Sequence, residues 1–250
     1  MKLLRFQVQG RTAYGILHGE EVTELEGDLF GPLKTRSAKY ARSSVRLLAP
    51  CSPSKVIAVG LNYRDHAREM ALPVPETPVI FLKPPTSVIG PGESIRYPGI
   101  SSQVDYEAEL GIVIKDRVKD LSPEEARRHI LGYTCANDVT ARDLQKKDGQ
   151  WTRAKSFDTF CPVGPWIETE VDPDDLLVES WLNGARRQSS RTSQFIFKVD
   201  HLVGFISQVM TLYPGDLIIT GTPAGIGPME RGDEIEVRIE GIGSLKNVVT

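Results

Sequence analysis

Short runs of alternating apolar and polar residues dominate this chain, and alternation at a period of two marks half-buried strands. "KLLRFQV", "RTAYGIL" after Gly10 and "EVTEL" after the turn "HGE" predict three strands of a small antiparallel unit. "GPLKTRSAKYARSS" shows no such period and reads as a looser connection. The prolines and serines of "LLAPCSPS" set a boundary near residue 50. The expected organisation is therefore a small N-terminal β domain over 1–50 and a main body over 51–250 that opens at "KVIAVGLNY".

Helical periods are fewer. Ser122, Pro123 and Glu125 supply a hydroxyl cap, a first-turn proline and a glutamate at the third position, which predicts a helix through "EEARRHIL". Asp172, Pro173 and Asp175 predict a shorter one by the same logic. From Asp200, the spacing of Leu202, Val203, Phe205, Ile206, Val209 and Met210 predicts a helix that stops at "YPGD". Asn183-Gly184 predicts a two-residue type I′ hairpin. The expected class is α+β with strands dominant.

Bulk properties exclude several functions. Of 250 residues, 40% are hydrophobic and 25% charged, enough for a sizeable core. A net charge of −3 without a basic run gives no footprint for a phosphate backbone, so a nucleic-acid partner is not expected. Neither a signal-peptide core nor an apolar run of membrane-spanning length is present, which gives a cytoplasmic expectation and no membrane partner. Cys51, Cys135 and Cys161 are odd in number and far apart, and read as small buried hydrophobes. The four histidines form no HExxH pattern, so any metal must be held mainly by oxygen.

"DYEAELGIVI" departs from the ordinary pattern. Asp105, Glu107 and Glu109 share one face of an extended strand and run into a block fit for a sheet interior, where unpaired carboxylates are costly. Asp138, in "CANDVTARDLQ", is a further acid in an apolar setting. Two strand carboxylates plus one from another segment make an all-oxygen site suited to Mg²⁺ or Mn²⁺; a solvated acidic face is the alternative. In "GLNYRDHAREM", a short helix from about Asn62 places Glu69 three residues after His66, within reach to orient the imidazole. The proline-rich exit through Pro73, Pro75 and Pro78 marks this segment as surface, compatible with a mobile lid; an incidental surface histidine is the alternative. In "LIITGTPAGIGPM", Thr222 and three glycines present backbone N–H groups, or else form a simple β-turn. Lys155, in an unusually apolar stretch, is either an electrostatic partner for a developing enolate or a peripheral ion-pair donor.

Seven motifs in order, "GLNYRDHAREM", "FLKPPTSVIGPGESI", "VDYEAELGIVI", "GYTCANDVTARDLQ", "AKSFDTFCPVGPWI", "WLNGARRQ" and "GDLIITGTPAGIG", resemble the fumarylacetoacetate hydrolase family across nearly all of 51–250. The resemblance implies a mixed β-sandwich roll, a homodimer, and Mg²⁺ or Mn²⁺ held by Glu107, Glu109 and Asp138. It implies His66 and Glu69 as a lid dyad, Lys155 beside the substrate, and Gln145 and Thr222 in contact with substrate oxygens. Asp105 falls outside that ligand pattern, as an outer or surface acid. Family substrates are small 2-oxo or 2-hydroxy-dienoate acids handled through a metal-stabilised enolate. The branch resembled implies an isomerase of the 2-hydroxyhepta-2,4-diene-1,7-dioate type in aromatic catabolism, with an acylpyruvate hydrolase or oxaloacetate decarboxylase as the alternative. A non-catalytic metal-binding scaffold is the reading of a different class.

Overall fold

The structure is a computed structural model that describes residues 1–250. Strands carry the architecture, as the alternation predicts. One long mixed sheet runs in the order Thr35–Ala41, Glu21–Leu25, Arg11–His18, Lys2–Val8, Cys161–Glu168, Ile130–Asn137, Ala108–Ile114, Leu217–Ile219, Val56–Gly60, Val79–Lys83. A second sheet holds Ala185–Arg191, Leu177–Leu182, Glu234–Ile239, Gly243–Val249 and Ser94–Ile95. A three-stranded sheet joins Thr140–Ala141, Val104–Tyr106 and Gly227–Met229.

The central strand Ala108–Ile114 is buried along its whole length, so alternation there separates two interiors rather than core from solvent. Leu110, Ile112 and Ile114 enter a core shared with Val178, Val237 and Ile239 of the second sheet and with Leu202, Val203 and Ile206 of the helix Val199–Val209. Val113 faces the other way, against Val56, Ala136, Val163 and Leu217. Gly111 is needed on that side, because a Cβ there would stand 2.9 Å from Thr134 Cγ2. The three cysteines are buried and unpaired, and burial pushes the thiols of Cys51 and Cys161 up to about 12. No helix is long and apolar enough to cross a membrane.

Several local expectations shift. "GPLKTRSAKYARSS" contains the edge strand Thr35–Ala41, whose alternation is hidden because six of its seven residues lie outside any core and carry polar or small side chains. The helix begun at Ser122 ends early: Pro123–Ala126 is α-helical, Arg127–His129 tightens to a 3₁₀ turn, and Ile130 already opens a strand. The capping logic is nevertheless present, with the Ser122 N–H donating to Glu125 Oε2 at 3.2 Å. Pro173–Asp175 is a 3₁₀ turn capped by Asp172. Asn183 and Gly184 have φ of 51° and 77°, the left-handed pair that a type I′ turn requires.

Asn62 does not start the "NYRDHARE" helix, which spans Arg64–Glu69. Its fully buried side chain instead ties three segments together. Nδ2 donates to the carbonyls of Thr220 at 2.8 Å and Phe197 at 3.1 Å, while Oδ1 accepts from the Phe197 N–H at 2.8 Å. Asn62→Ala is expected to lower the unfolding free energy by roughly 2–4 kcal/mol, because each stranded buried group costs about 1–3 kcal/mol. Equilibrium denaturation checks this, and a loss below about 1 kcal/mol would show that the bridge is dispensable.

Candidate metal and substrate site

The acids of "DYEAE" separate at a break between sheets. Val104–Tyr106 belongs to the three-stranded sheet, Ala108–Ile114 to the long one, and Glu107 sits at the junction. The junction is pinned from both sides: the Glu107 N–H donates to Asn137 Oδ1 at 2.9 Å, and the Ala108 N–H donates to Gln188 Oε1 at 3.0 Å. Asp138 follows the neighbouring strand Ile130–Asn137, which pairs with Ala108–Ile114 so that Ala108 faces Asn137. Carboxylate oxygens of Glu107, Glu109 and Asp138 thereby come within 4.8 Å of one another, all buried.

Asp105 is brought elsewhere. Only 2% exposed, it is neither a surface acid nor part of this cluster, and its Oδ2 accepts from Arg142 Nε at 2.8 Å. Arg142 then reaches inward, donating through Nη2 to Glu107 Oε1 and through Nη1 to Gln145 Oε1 at 2.6 Å. Lys155 is not peripheral: 2% exposed, it donates to Glu107 Oε2 at 2.9 Å and to Asp138 Oδ2 at 2.5 Å. Lys83, at the end of the strand Val79–Lys83, donates to Asp138 Oδ1 at 2.5 Å and to the Val139 carbonyl at 3.2 Å.

These contacts divide the three acids electrically. Burial alone would raise Glu107, but Lys155 and Arg142 outweigh it and hold the carboxyl down at about 2. Glu109 is pushed well above the usual carboxylate range by burial, then by Asp138 and Glu107. Its hydrogen bond comes from the Gly221 N–H at 2.7 Å, not from a cation. That approach needs glycine: φ at 221 is +92°, and a Cβ would meet Asn62 Cβ at 2.8 Å.

Glu107, Glu109, Asp138, Lys155, Gln145 and Thr222 line one cavity of about 270 Å³, together with His66 and Arg142. Its apolar wall includes Phe81, Trp151, Met70 and Leu72. His66, 9% exposed, lies on the short helix with its Nδ1 2.8 Å from Glu69 Oε2. Glu69 Oε1 accepts from the Gly225 N–H at 3.0 Å, so the dyad is tied to the glycine-rich loop. With Nδ1 engaged as donor to a carboxylate, Nε2 is the nitrogen left to accept a proton. Thr222 is fixed rather than free: its hydroxyl donates to the Ala108 carbonyl at 2.9 Å and accepts from Gln188 Nε2 at 2.7 Å.

The proline exit mixes environments, with Pro73 exposed and Pro78 buried. Lys83, Arg142, Gln188 and Asn137 are the residues that reading by charge spacing missed. Each lies inside one of the seven ordered motifs; Lys83 in "FLKPP" and Asn137 in "TCAND" interrupt apolar runs, whereas Arg142 and Gln188 stand among polar neighbours that mask them.

The donor set suits a divalent cation. Of four buried acids, Asp105, Glu107, Glu109 and Asp138, three are bonded by the buried cations Lys83, Arg142 and Lys155, and Glu109 alone has no cation partner. Three hard oxygen donors in reach of one another match Mg²⁺ or Mn²⁺ and not a soft metal.

Comparison with known proteins agrees. A family model described as fumarylacetoacetate (FAA) hydrolase C-terminal matches residues 55–250, and one described as Rv2993c-like, N-terminal, matches residues 1–50. The crystal structure of a 2-hydroxyhepta-2,4-diene-1,7-dioate isomerase from Mycobacterium marinum is 49% identical, with a TM-score of 0.94 over 100% of this chain and 98% of that one. A mitochondrial oxaloacetate tautomerase of Bos taurus is 43% identical over 230 residues, which is 87% of this chain and 73% of its own length. A maleylpyruvate hydrolase from Sphingobium, solved with manganese(II) and pyruvate, is 29% identical with a TM-score of 0.85, covering 100% of this chain and 99% of its own. Match, motif order and strand-dominated fold converge on one statement: this chain belongs to the fumarylacetoacetate hydrolase family.

Proposed function

We propose that the protein is a divalent-metal-dependent isomerase of 2-oxo or 2-hydroxy-dienoate diacids, of the 2-hydroxyhepta-2,4-diene-1,7-dioate type. The observation that carries this reading is the triad Glu107, Glu109 and Asp138 facing Lys155, Arg142 and His66 across one cavity. Glu107, Glu109 and Asp138 would hold Mg²⁺ or Mn²⁺. When bound, the cation supplies Lewis-acid polarisation of a substrate oxygen.

The chain's own groups supply the rest. Arg142 and Lys155 offer fixed positive charge to a substrate carboxylate and to negative charge developing on the 2-oxygen, in a cavity walled by Phe81 and Trp151 that limits water. Gln145 and Thr222 orient substrate oxygens. His66 Nε2 accepts a proton from one substrate carbon and returns it to another, while Glu69 stabilises the resulting imidazolium. Nothing in this scheme breaks a carbon–carbon bond, which favours proton relocation, and the isomerase and tautomerase relatives perform reactions of that kind. Hydrolysis of an acylpyruvate is the second reading. The His66–Glu69 pair supports it, because the same Nε2 placed against a water would generate a nucleophile, and the maleylpyruvate hydrolase is the relative that favours it.

The Lys155 and Asp138 contacts support catalysis over a scaffold role, since a purely structural ion site has no use for a lysine inside its ligand set. A homodimer is part of the proposal. Supporting it are Met70, Leu72, Val74, Val79 and Leu82, each between 45% and 56% exposed along 70–82.

Glu109→Gln is expected to weaken Mn²⁺ binding by more than about 100-fold, beyond the 10–100-fold typical of losing an outer partner of a metal ligand. Titration calorimetry checks this, and unchanged affinity would remove Glu109 from the ligand set. His66→Ala should cut kcat by roughly 10²–10⁴-fold while leaving Mn²⁺ affinity as in the unmutated protein. A substrate panel decides the reaction: loss of diene absorbance without cleavage products identifies the isomerase, whereas pyruvate released from acylpyruvates replaces that reading with the hydrolase.

A further inference from the structure

Lys83 is the one buried cation of the cluster that does not line the cavity. Its side chain has 0% exposure and it ends an edge strand, followed by Pro84 and Pro85, which stiffen the backbone behind it. Its ammonium is held between two acceptors, Asp138 Oδ1 at 2.5 Å and the Val139 carbonyl at 3.2 Å. The other oxygen of Asp138, Oδ2, accepts from Lys155 at 2.5 Å, and Lys155, unlike Lys83, lines the cavity. The two oxygens of one carboxylate are therefore held by different lysines, one outside the cavity lining and one within it.

We propose that Lys83 is a positioning residue that reserves Asp138 Oδ1 and so restricts Asp138 to one coordinating oxygen, setting which divalent cation the site prefers. The inference rests on the metal reading given above. With Oδ1 anchored to Lys83, the carboxylate cannot turn both oxygens toward a cation without breaking that bond, and Oδ2 is the oxygen that a cation would share with Lys155. Released, it can swing to offer both, which suits the larger and more variable shell of Ca²⁺ and conflicts with the octahedral demand of Mg²⁺. An outer partner of this kind acts on metal preference without touching substrate.

The test compares Ca²⁺ and Mg²⁺ affinities by titration calorimetry, without substrate, for the unmutated protein and Lys83→Met. The ratio of Ca²⁺ to Mg²⁺ affinity is expected to rise roughly tenfold or more in the variant, the lower end of outer-partner effects on metal binding. If Lys83 acts only through its charge, both affinities shift together and the ratio stays constant, which overturns the proposal. A crystal structure of the Ca²⁺-loaded unmutated protein gives an independent check should Lys83→Met fail to fold. Asp138 bound through Oδ2 alone, with Lys83 still on Oδ1, is the expected result, and a two-oxygen Asp138 overturns it. If the unmutated protein binds neither ion nor Mn²⁺, the metal reading itself falls and this inference with it, an outcome distinct from binding with an unchanged ratio.

Discussion

Burying Glu107 and Glu109 two residues apart is the constraint on which the rest of the site depends. A carboxylate removed from water without a partner costs several kcal/mol, and repulsion between neighbours adds to that. The two cannot be separated, because the chain between them is a single alanine fixed by Gln188 on its N–H and Thr222 on its carbonyl. The fold must therefore deliver positive charge to them. That charge comes to the cluster from three separate places: the end of an edge strand for Lys83, which meets Asp138, the helix Arg142–Asp148 for Arg142, which meets Glu107, and the helix Thr152–Lys155 for Lys155, which meets both. Asp105 serves the same end indirectly, since it holds the Arg142 guanidinium that reaches Glu107. Compensation stops at Glu109, the one acid of the cluster without a cation partner, and a bound dication would supply it.

Much of this was legible in the sequence because period two survives wherever a strand has one wet face. The three N-terminal strands, the Asn183-Gly184 turn and the helix Val199–Val209 all follow from local pattern. What escaped has a common physical origin. Thr35–Ala41 is an exposed edge, so no core imprinted alternation on it. The helix at Ser122 was cut short because Ile130 and Leu131 were needed as the start of a strand, and tertiary pairing overrode helix propensity. Asn62 has the composition of a helix cap, yet its buried amide bridges backbone groups more than 130 residues away, which no local pattern records.

The site shows the same division. Spacing put Asp105, Glu107 and Glu109 on one strand face, family resemblance singled out Glu107, Glu109 and Asp138 with Lys155, His66 and Glu69, and the fold brings those three carboxylates together. By spacing alone Asp105 is equivalent to its neighbours; the resemblance set it outside the ligands, and the break in the sheet between Tyr106 and Ala108 sends it to Arg142. Lys83 and Arg142 were silent because a cation's sequence neighbours do not reveal which acid it meets across 35 or 55 residues.

The two halves of the cavity are held by different kinds of support, and this bears on how one family accommodates several reactions. The charged half is built on paired strands buried on both faces, where small displacements strain many contacts at once. The half that carries His66 and Glu69 rides on a six-residue helix. It is tied by side chains: Arg64 to the Phe195 carbonyl at 2.7 Å, Ser190 to Asp65, and the Gly225 N–H to Glu69 at 3.0 Å. Such tethers can be re-cut without disturbing the sheet. On the proposed function, a shift of the helix that brought His66 Nε2 over a substrate carbon would give proton relocation, and one that admitted a water beneath it would give hydrolysis. On that reading, the rigid half would select the ligand and the tethered half would select the reaction.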